Sequence, residues 1–325
     1  MREGVSTAHH PSSHGPTLPT FRHEALLYAG MNGFLEATVP FLQDAARAYE
    51  PTLVVVSTAK IDRLRAALGA AADQITFADM SAVGMNPARI LPAWRAFVDR
   101  YGWEERRLRG IGEPIWAERS PAELVECQRH EALLNLAFAD TADFWLMCPY
   151  DTDALGPAVI EKAHHGHPVV VQNGAGRDSA SYVDADAVAA PFAEPLPEPP
   201  AGAHELPFAT GTLGAVRAFV AAHAAAAGLR EPRGSDLVMA VNELATNSVR
   251  HAGGQGVLRV WHEGDALVCE VSDTGAIVEP FAGRRRPGED QVGGHGLWMV
   301  NQVCDLVHVR AFATGGAVRL HMRRG

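Results

Sequence analysis

The sequence has no apolar run approaching the roughly 20 residues needed to cross a bilayer. Its opening stretch, MREGVSTAHHPSSHGPTLPT, lacks the apolar core of a secretory signal. The chain is therefore expected to be cytoplasmic and not membrane-bound, with residues 1–19 as a flexible tail. Cysteine is scarce: Cys127, Cys148, Cys269 and Cys304 are scattered with no C-x-x-C pairing, which suggests neither a zinc site nor a disulfide framework. Reduced thiols fit better. Basic charge is also short, with 28 Lys and Arg against 38 Asp and Glu and a formal net charge of -10. A strong phosphate-backbone binder would carry a basic stripe, so direct nucleic-acid binding is disfavoured. No G-x-x-x-x-G-K-[ST] occurs, and no G-x-G-x-x-G follows the first expected strand. The first half is thus not expected to hold nucleotide phosphates by either common loop.

What is present reads as two domains. The chain has 325 residues, 47% hydrophobic and 20% charged, enough for two separate cores. Residues 173–206 concentrate Gly, Ser, Ala and Pro without periodicity and are expected to be a linker. Before it, in residues 20–172, near-continuous apolar runs such as TLVVVSTA and PVVVQNG alternate with amphipathic helical stretches. This predicts an α/β domain with a mostly parallel sheet covered on both faces. Ligands of such sheets sit beyond the carboxyl ends of the strands, which singles out Tyr28, Thr58, Lys60, Cys148, Tyr150 and Asp151. After the linker, residues 207–325 read as α+β. A helix is expected at about 211–227 and a second around Glu243, followed by a hairpin turning at Glu263-Gly264-Asp265. A third helix at GLWMVNQVCD and a second hairpin complete the domain.

Three fragments of this second domain carry chemistry. VNELATNSVRHAGG, residues 241–254, sets Glu243 and Asn247 on one helix face, while Leu237, Val241, Leu244 and Val249 can supply the buried side. Such a pair alone is usually a wetted surface. SDTG, residues 272–275, puts Asp273 at a strand end, where a carboxylate can accept from an exocyclic amine, with Gly275 letting the backbone pass close to a flat ring. GGHGLWMV, residues 293–300, is a glycine turn entering a helix, where backbone amides can face phosphate oxygens. With the closing strand GGAVRL, this order resembles the nucleotide-binding pattern shared by gyrase, a heat-shock chaperone family, histidine kinases and MutL. More closely, residues 205–323 resemble the anti-sigma factor serine kinases of that group.

The resemblance implies a GHKL (Bergerat) sandwich, helices on one face of a mixed sheet, that binds ATP with Mg²⁺. Asn247 would hold the Mg²⁺, and Glu243 would be general base or water positioner. Asp273 and Gly275 would receive the adenine, and Gly293, Gly294, His295, Gly296 and Leu297 would close over the phosphates. One carboxamide with phosphate oxygens and waters suits Mg²⁺. His251 matches a family histidine and equally suits an ordinary helix end. Arg284, Arg285 and Arg286, ahead of the glycines, could reach a phosphate, although a solvated loop is the plainer reading. Two departures stand out: DTGAIVEP lacks a second glycine, and Ala317 replaces a usual threonine. His223 lacks the acidic neighbour of an autokinase histidine, so histidine autophosphorylation is not expected.

In the first domain, FRHEALLYAG, LRGIGEPIWAERS, CQRHEALLNLAFA and LMCPYD resemble the MEDS domain of methanogen, methylotroph and DcmR sensory proteins. The matching positions are His23, Tyr28, Glu113, Trp116, Glu131, Asn135, Cys148, Tyr150 and Asp151. The resemblance implies a sensory module for an undefined small-molecule or protein signal. A polar pocket could be lined by Tyr28, Glu113, Glu131, Asn135, Tyr150 and Asp151, or Glu131 and Asn135 could simply tie their helix to loops. HHGH, residues 164–167, lacks a matched carboxylate or cysteine cluster and is not expected to bind metal. Together the two resemblances imply a sensor whose ATP lobe phosphorylates an anti-sigma factor antagonist or sequesters a sigma factor, either as a kinase or as a nucleotide-gated switch. A homodimer is expected by analogy alone.

Overall fold

The structure is a computed structural model and describes residues 21–104, 106–141, 143–183, 194–277, 279–288 and 294–324. The first lobe runs β1 (Arg22–Tyr28), α1 (Gly30–Arg47), β2 (Thr52–Val56), α2 (Thr58–Leu68), β3 (Thr76–Asp79), α3 (Met80–Gly84), α4 (Ile90–Tyr101), β4 (Leu108–Gly112), α5 (Pro121–Ala137), β5 (Phe144–Asp151), α6 (Pro157–Gly166), β6 (Val169–Gln172) and β7 (Ala175–Asp178). The strands form one sheet in the order β3-β2-β4-β5-β1-β6-β7. Every neighbouring pair is parallel except β6 with β7, which is antiparallel.

Period-2 alternation sorts the side chains onto two apolar layers. Ala25, Leu27, Cys148 and Tyr150 pack with Trp94 of α4 and Leu133 and Leu134 of α5. Leu26, Tyr28 and Met147 pack on the other face with Phe34 of α1 and Leu64 of α2. The sheet is therefore buried on both sides, which explains strands such as TLVVV, buried at all five positions. Helix α5 begins with a capping box: Ser120 Oγ accepts from the Glu123 amide, Glu123 Oε2 accepts from the Ser120 amide, and Pro121 occupies the first helical position.

The second lobe runs β8 (His204–Ala209), α7 (Leu213–Ala226), α8 (Arg233–His251), β9 (Gln255–Glu263), β10 (Ala266–Asp273), α9 (His295–Val303), β11 (Leu306–Phe312) and β12 (Gly315–Arg323). Its five strands are ordered β11-β12-β10-β9-β8 and pair antiparallel throughout. The helices share one apolar layer with the inward residues of the sheet, among them Leu258, Cys269, Val309 and Leu320. The stretch expected as a linker, 173–206, contributes β7 to the first sheet and the start of β8 to the second. A composition rich in Gly, Pro and Ala concealed these edge strands, which are short and largely exposed. No described helix is long and apolar enough to cross a membrane.

The outer face of the second sheet alternates to polar residues, which a free sandwich would turn to water. Here Glu270, His308, Arg310, Arg319 and His321 are buried. Helix α5 covers much of this face: Arg129 Nη1 donates to Val309 O at 3.0 Å, His308 Nε2 lies 3.2 Å from Ala122 O, and Arg323 Nη2 donates to Glu123 Oε1 at 2.9 Å. At the centre lies Glu126, with no exposed surface. Its carboxylate accepts from Arg284 Nη2 at 2.5 Å and Arg310 Nη1 at 2.9 Å, and Arg129 Nη1 stands 3.5 Å away. Burial alone would raise the Glu126 pKa; the guanidiniums of Arg129, Arg284 and Arg310, with His308 beside them, outweigh it and hold the group at about 2.

Removing the carboxylate would leave several buried cations without their anion. Glu126→Gln is expected to destabilise the chain by about 3–5 kcal/mol in urea unfolding at pH 7. The folded carboxyl titrates near 2 and the unfolded one near 4.5, so its stabilisation is complete above about pH 5 and declines as the pH falls towards 2. The gap between wild type and variant should therefore narrow between pH 5 and pH 3. A gap that is constant over that range would contradict this account.

Candidate functional site

In the second lobe, α8 presents Leu244, Asn247, Ser248 and His251 at i, i+3, i+4 and i+7, one stripe of a helix. The stripe faces the end of β10 and encloses a cleft of about 140 Å³, closed by Asp273, Gly275, Ile277 and Leu297. Asp273 is fixed in its wall: Oδ2 accepts from Ser248 Oγ at 2.5 Å and Oδ1 accepts from the Gly275 amide at 2.8 Å. Both oxygens keep a further lone pair for an incoming donor. Gly275 is a close approach, since a Cβ there would stand 2.7 Å from Ala252 Cβ and 3.0 Å from Asp273 Oδ1. Ser248 escaped sequence reasoning, although its place one residue past Asn247 on an amphipathic helix was a usable signal.

Above the cleft, Gly294 takes the left-handed conformation, φ 81°, and starts α9. A Cβ on Gly296 would lie 2.9 Å from Glu243 Oε2 and 3.5 Å from Asn247 Nδ2. The first turn of α9, with its unpaired amides, thus sits against the Glu243–Asn247 pair. Neither side chain makes a hydrogen bond with the described residues. The structure brings together Glu243, Asn247, Asp273, Gly275, Gly296 and Leu297. His295 is exposed on the first turn, and Gly293 lies outside the described residues.

Of the three arginines before the glycines, Arg285 and Arg286 are exposed as a solvated loop would have them, and Arg284 departs from expectation. Arg284 is neither solvated nor turned to the cleft; it is buried on Glu126 of the first lobe. Phe281 joins the apolar layer of the first lobe, and Arg285 stacks on its ring at 3.9 Å. Asn301 of α9 is also held by the first lobe: Asn86 Nδ2 donates to Asn301 O at 3.0 Å and to Asn301 Oδ1 at 3.1 Å.

The first-lobe positions do not form one pocket. Strand alternation sends Tyr28 and Asp151 to one face of the sheet and His23, Cys148 and Tyr150 to the other. At the carboxyl ends, Tyr28 Oη donates to Glu113 Oε1 at 2.6 Å, and Lys60 Nζ lies 2.6 Å from both Glu113 oxygens and from Tyr28 Oη. Burial pushes up the pKa of Glu113 against the Lys60 charge, and burial with Glu113 pushes up that of Tyr28. Asp151 accepts from the Gly30 and Asp153 amides at 3.0 and 3.1 Å. The second group gathers around α5. Asn135 Oδ1 lies 3.0 Å from His23 Nδ1, Glu131 Oε2 lies 3.2 Å from His23 Nε2, and Tyr150 meets the His167 ring edge-on at 5.6 Å. His23 and Tyr28 are five residues apart on β1, roughly 17 Å along a strand. Trp116 packs against Arg119, 3.7 Å from its guanidinium carbon.

The chain thus consists of an α/β lobe with two buried polar clusters and an α+β lobe with a cleft that Asp273 helps to wall. Comparison with known proteins agrees. Residues 22–168 match the family model of the MEDS (MEthanogen/methylotroph, DcmR Sensory) domain, and residues 206–322 match that of the histidine kinase-like ATPase domain. The chain joins a MEDS domain to a histidine kinase-like ATPase domain. No curated protein matches it. Among solved structures, the RsbU and RsbW domains of a Mycobacterium tuberculosis protein match at 20% identity with a TM-score of 0.28, over 37% of this chain and 32% of that one. This chain thus spans about a third of that structure's length.

The tight fit at Gly275 yields a test. Gly275→Ala adds a methyl group against Ala252, an overpacking cost of about 1–3 kcal/mol. Nucleotide affinity, read by calorimetry, should fall by about tenfold or more. Unchanged affinity would place the base elsewhere.

Proposed function

We propose that the second lobe binds Mg²⁺-ATP and acts as a serine/threonine protein kinase on an anti-sigma factor antagonist, controlling sigma-factor availability in response to a signal at the first lobe. One observation carries this reading: Glu243 and Asn247, with no side-chain hydrogen bond to any described residue, stand beside the first turn of α9, at a cleft that holds Asp273. The donor set fits the ion, because Asn247 offers a hard carboxamide oxygen with no partner among the described residues. The amides of the α9 turn add a setting suited to phosphate oxygens.

Each residue then has a defined task. Asp273, held by Ser248 and the Gly275 amide, accepts from the amino group of the base. Gly275 and Leu297, which line the same cleft, would face the ring of the base. Asn247 supplies the protein ligand to the divalent ion. When bound, Mg²⁺-ATP supplies the transferable phosphoryl group and the cation that offsets its charge. Glu243 accepts the proton of the partner's hydroxyl and orients it; docking of the partner sets the in-line approach.

Labelled ATP, Mg²⁺ and candidate antagonist proteins test the proposal. Wild type should label a serine or threonine. Asn247→Ala should lose nucleotide binding, whereas Glu243→Gln should keep it and transfer about 10²–10⁴-fold more slowly. Full transfer by both variants would refute the assignment.

A second reading is favoured by the anchoring of Phe281, Arg284 and Asn301 on the first lobe. The segments flanking the phosphate side of the cleft are tied to the sensory lobe, which suits a switch that reports nucleotide occupancy by changing what it binds. Nucleotide-dependent capture of a sigma factor or antagonist without labelling would select this reading over the kinase.

A further inference from the structure

We propose that the first lobe contains a binding site for one divalent transition-metal ion of the zinc type, formed by His23, Glu131, Cys148 and His167. The site does not depend on the reading of the second lobe. It draws on four separate elements: His23 from β1, Glu131 from α5, Cys148 from β5, and His167 from the turn after α6. One ligand atom from each lies within 4.8 Å of all the others, the one such grouping among the described residues. All four side chains are at least nine-tenths buried.

Hydrogen bonding sets the direction of both imidazoles. Asn135 Nδ2 donates to Gly166 O at 2.8 Å, which leaves Asn135 Oδ1 to accept from His23 Nδ1 at 3.0 Å. His167 Nδ1 donates to Ala163 O at 2.8 Å. With both Nδ1 atoms used as donors to carbonyl-type oxygens, the Nε2 lone pairs point inward, the outer-sphere arrangement typical of metal-bound histidine. They meet another acceptor, since Glu131 Oε2 is 3.2 Å from each Nε2. Among the described residues, Glu131 Oε1 and His167 Nε2 lack a hydrogen-bond partner of good geometry. Cys148, with Sγ 3.4 Å from His23 Nε2, offers a single proton to this group of inward-facing acceptors. Buried polar atoms are seldom left in that state, and a cation at the centre gives both Nε2 lone pairs, Cys148 Sγ and one Glu131 oxygen a partner.

Chemistry and spacing select the ion. Two imidazoles, one thiol and one carboxylate suit zinc and its neighbours rather than Mg²⁺ or Ca²⁺. Ligands about 2.0–2.3 Å from a tetrahedral centre lie roughly 3.3–3.7 Å from each other. The 3.2 and 3.4 Å separations are already at that scale, and the widest pair needs to close by about an ångström. Binding would release the Cys148 proton to solvent. The thiolate and carboxylate then balance a divalent charge with neutral imidazoles, so the filled site is uncharged, which a dry interior requires. HHGH alone shows none of this, because its cysteine and carboxylate partners are supplied by β5 and α5.

Full-length protein, reduced and stripped with a chelator, is titrated with Co²⁺ and then Zn²⁺. The expected result is one equivalent bound per chain, with the thiolate charge-transfer band and strong visible absorption of four-coordinate Co²⁺, both abolished by Zn²⁺. Cys148→Ser should lose the thiolate band, and His167→Gln should bind at least about tenfold more weakly. His164→Gln with His165→Gln should match wild type. Circular dichroism checks that each variant is folded; if Cys148→Ser is not, the wild-type titration and His167→Gln decide. Absence of one-equivalent binding by wild type, a thiolate band persisting in folded Cys148→Ser, or loss of binding on replacing His164 and His165 would each overturn the proposal.

Discussion

The architecture depends on a carboxylate buried among arginines. Glu126 lies on a helix of the first lobe, yet two of its guanidinium partners come from the second, Arg284 before the α9 turn and Arg310 on β11. An ion group of this kind gains little over an apolar contact in total stability, because desolvation offsets much of the attraction. Its leverage lies in what happens when it is disturbed. No member can leave without exposing the others to a low-dielectric interior, so the two lobes are held in one registered arrangement rather than as beads on a tether.

Helix α5 is consequently an element with two sides to its work. Glu123, Glu126 and Arg129 reach into the second lobe, while Glu131 and Asn135 reach into the first. Nine of its residues are buried, five of them charged or histidine. The cleft of the second lobe is built differently. Its wall of Ser248, Asp273 and Gly275 is internally hydrogen-bonded, whereas the side chains of Glu243 and Asn247 make no hydrogen bond with the described residues.

Much of the second lobe was legible in the chain because its chemistry is local. Glu243 and Asn247 are one helical turn apart, Asp273 and Gly275 share one strand end, and Gly294 and Gly296 open one helix. The alternation of apolar strands with helices likewise announced the covered parallel sheet. The edge strands β7 and β8 were missed because their composition is that of a loop and pairing alone makes them strands. Arg284 was misread for a related reason: its partner lies 158 residues away, and nothing local marks a charged side chain for burial.

The sequence by itself determined two fold classes, since periodicity and short-range spacing act through the backbone of a single element. Only the tertiary structure decided which polar residues meet across elements. It divided one expected sensory pocket into the Tyr28–Lys60–Glu113 cluster and the His23–Glu131–Cys148–His167 cluster, because alternate residues of a strand point to opposite faces. It also turned the polar face of the second sheet from water to protein, because a pattern of alternation specifies two faces and leaves what covers each of them to the rest of the chain.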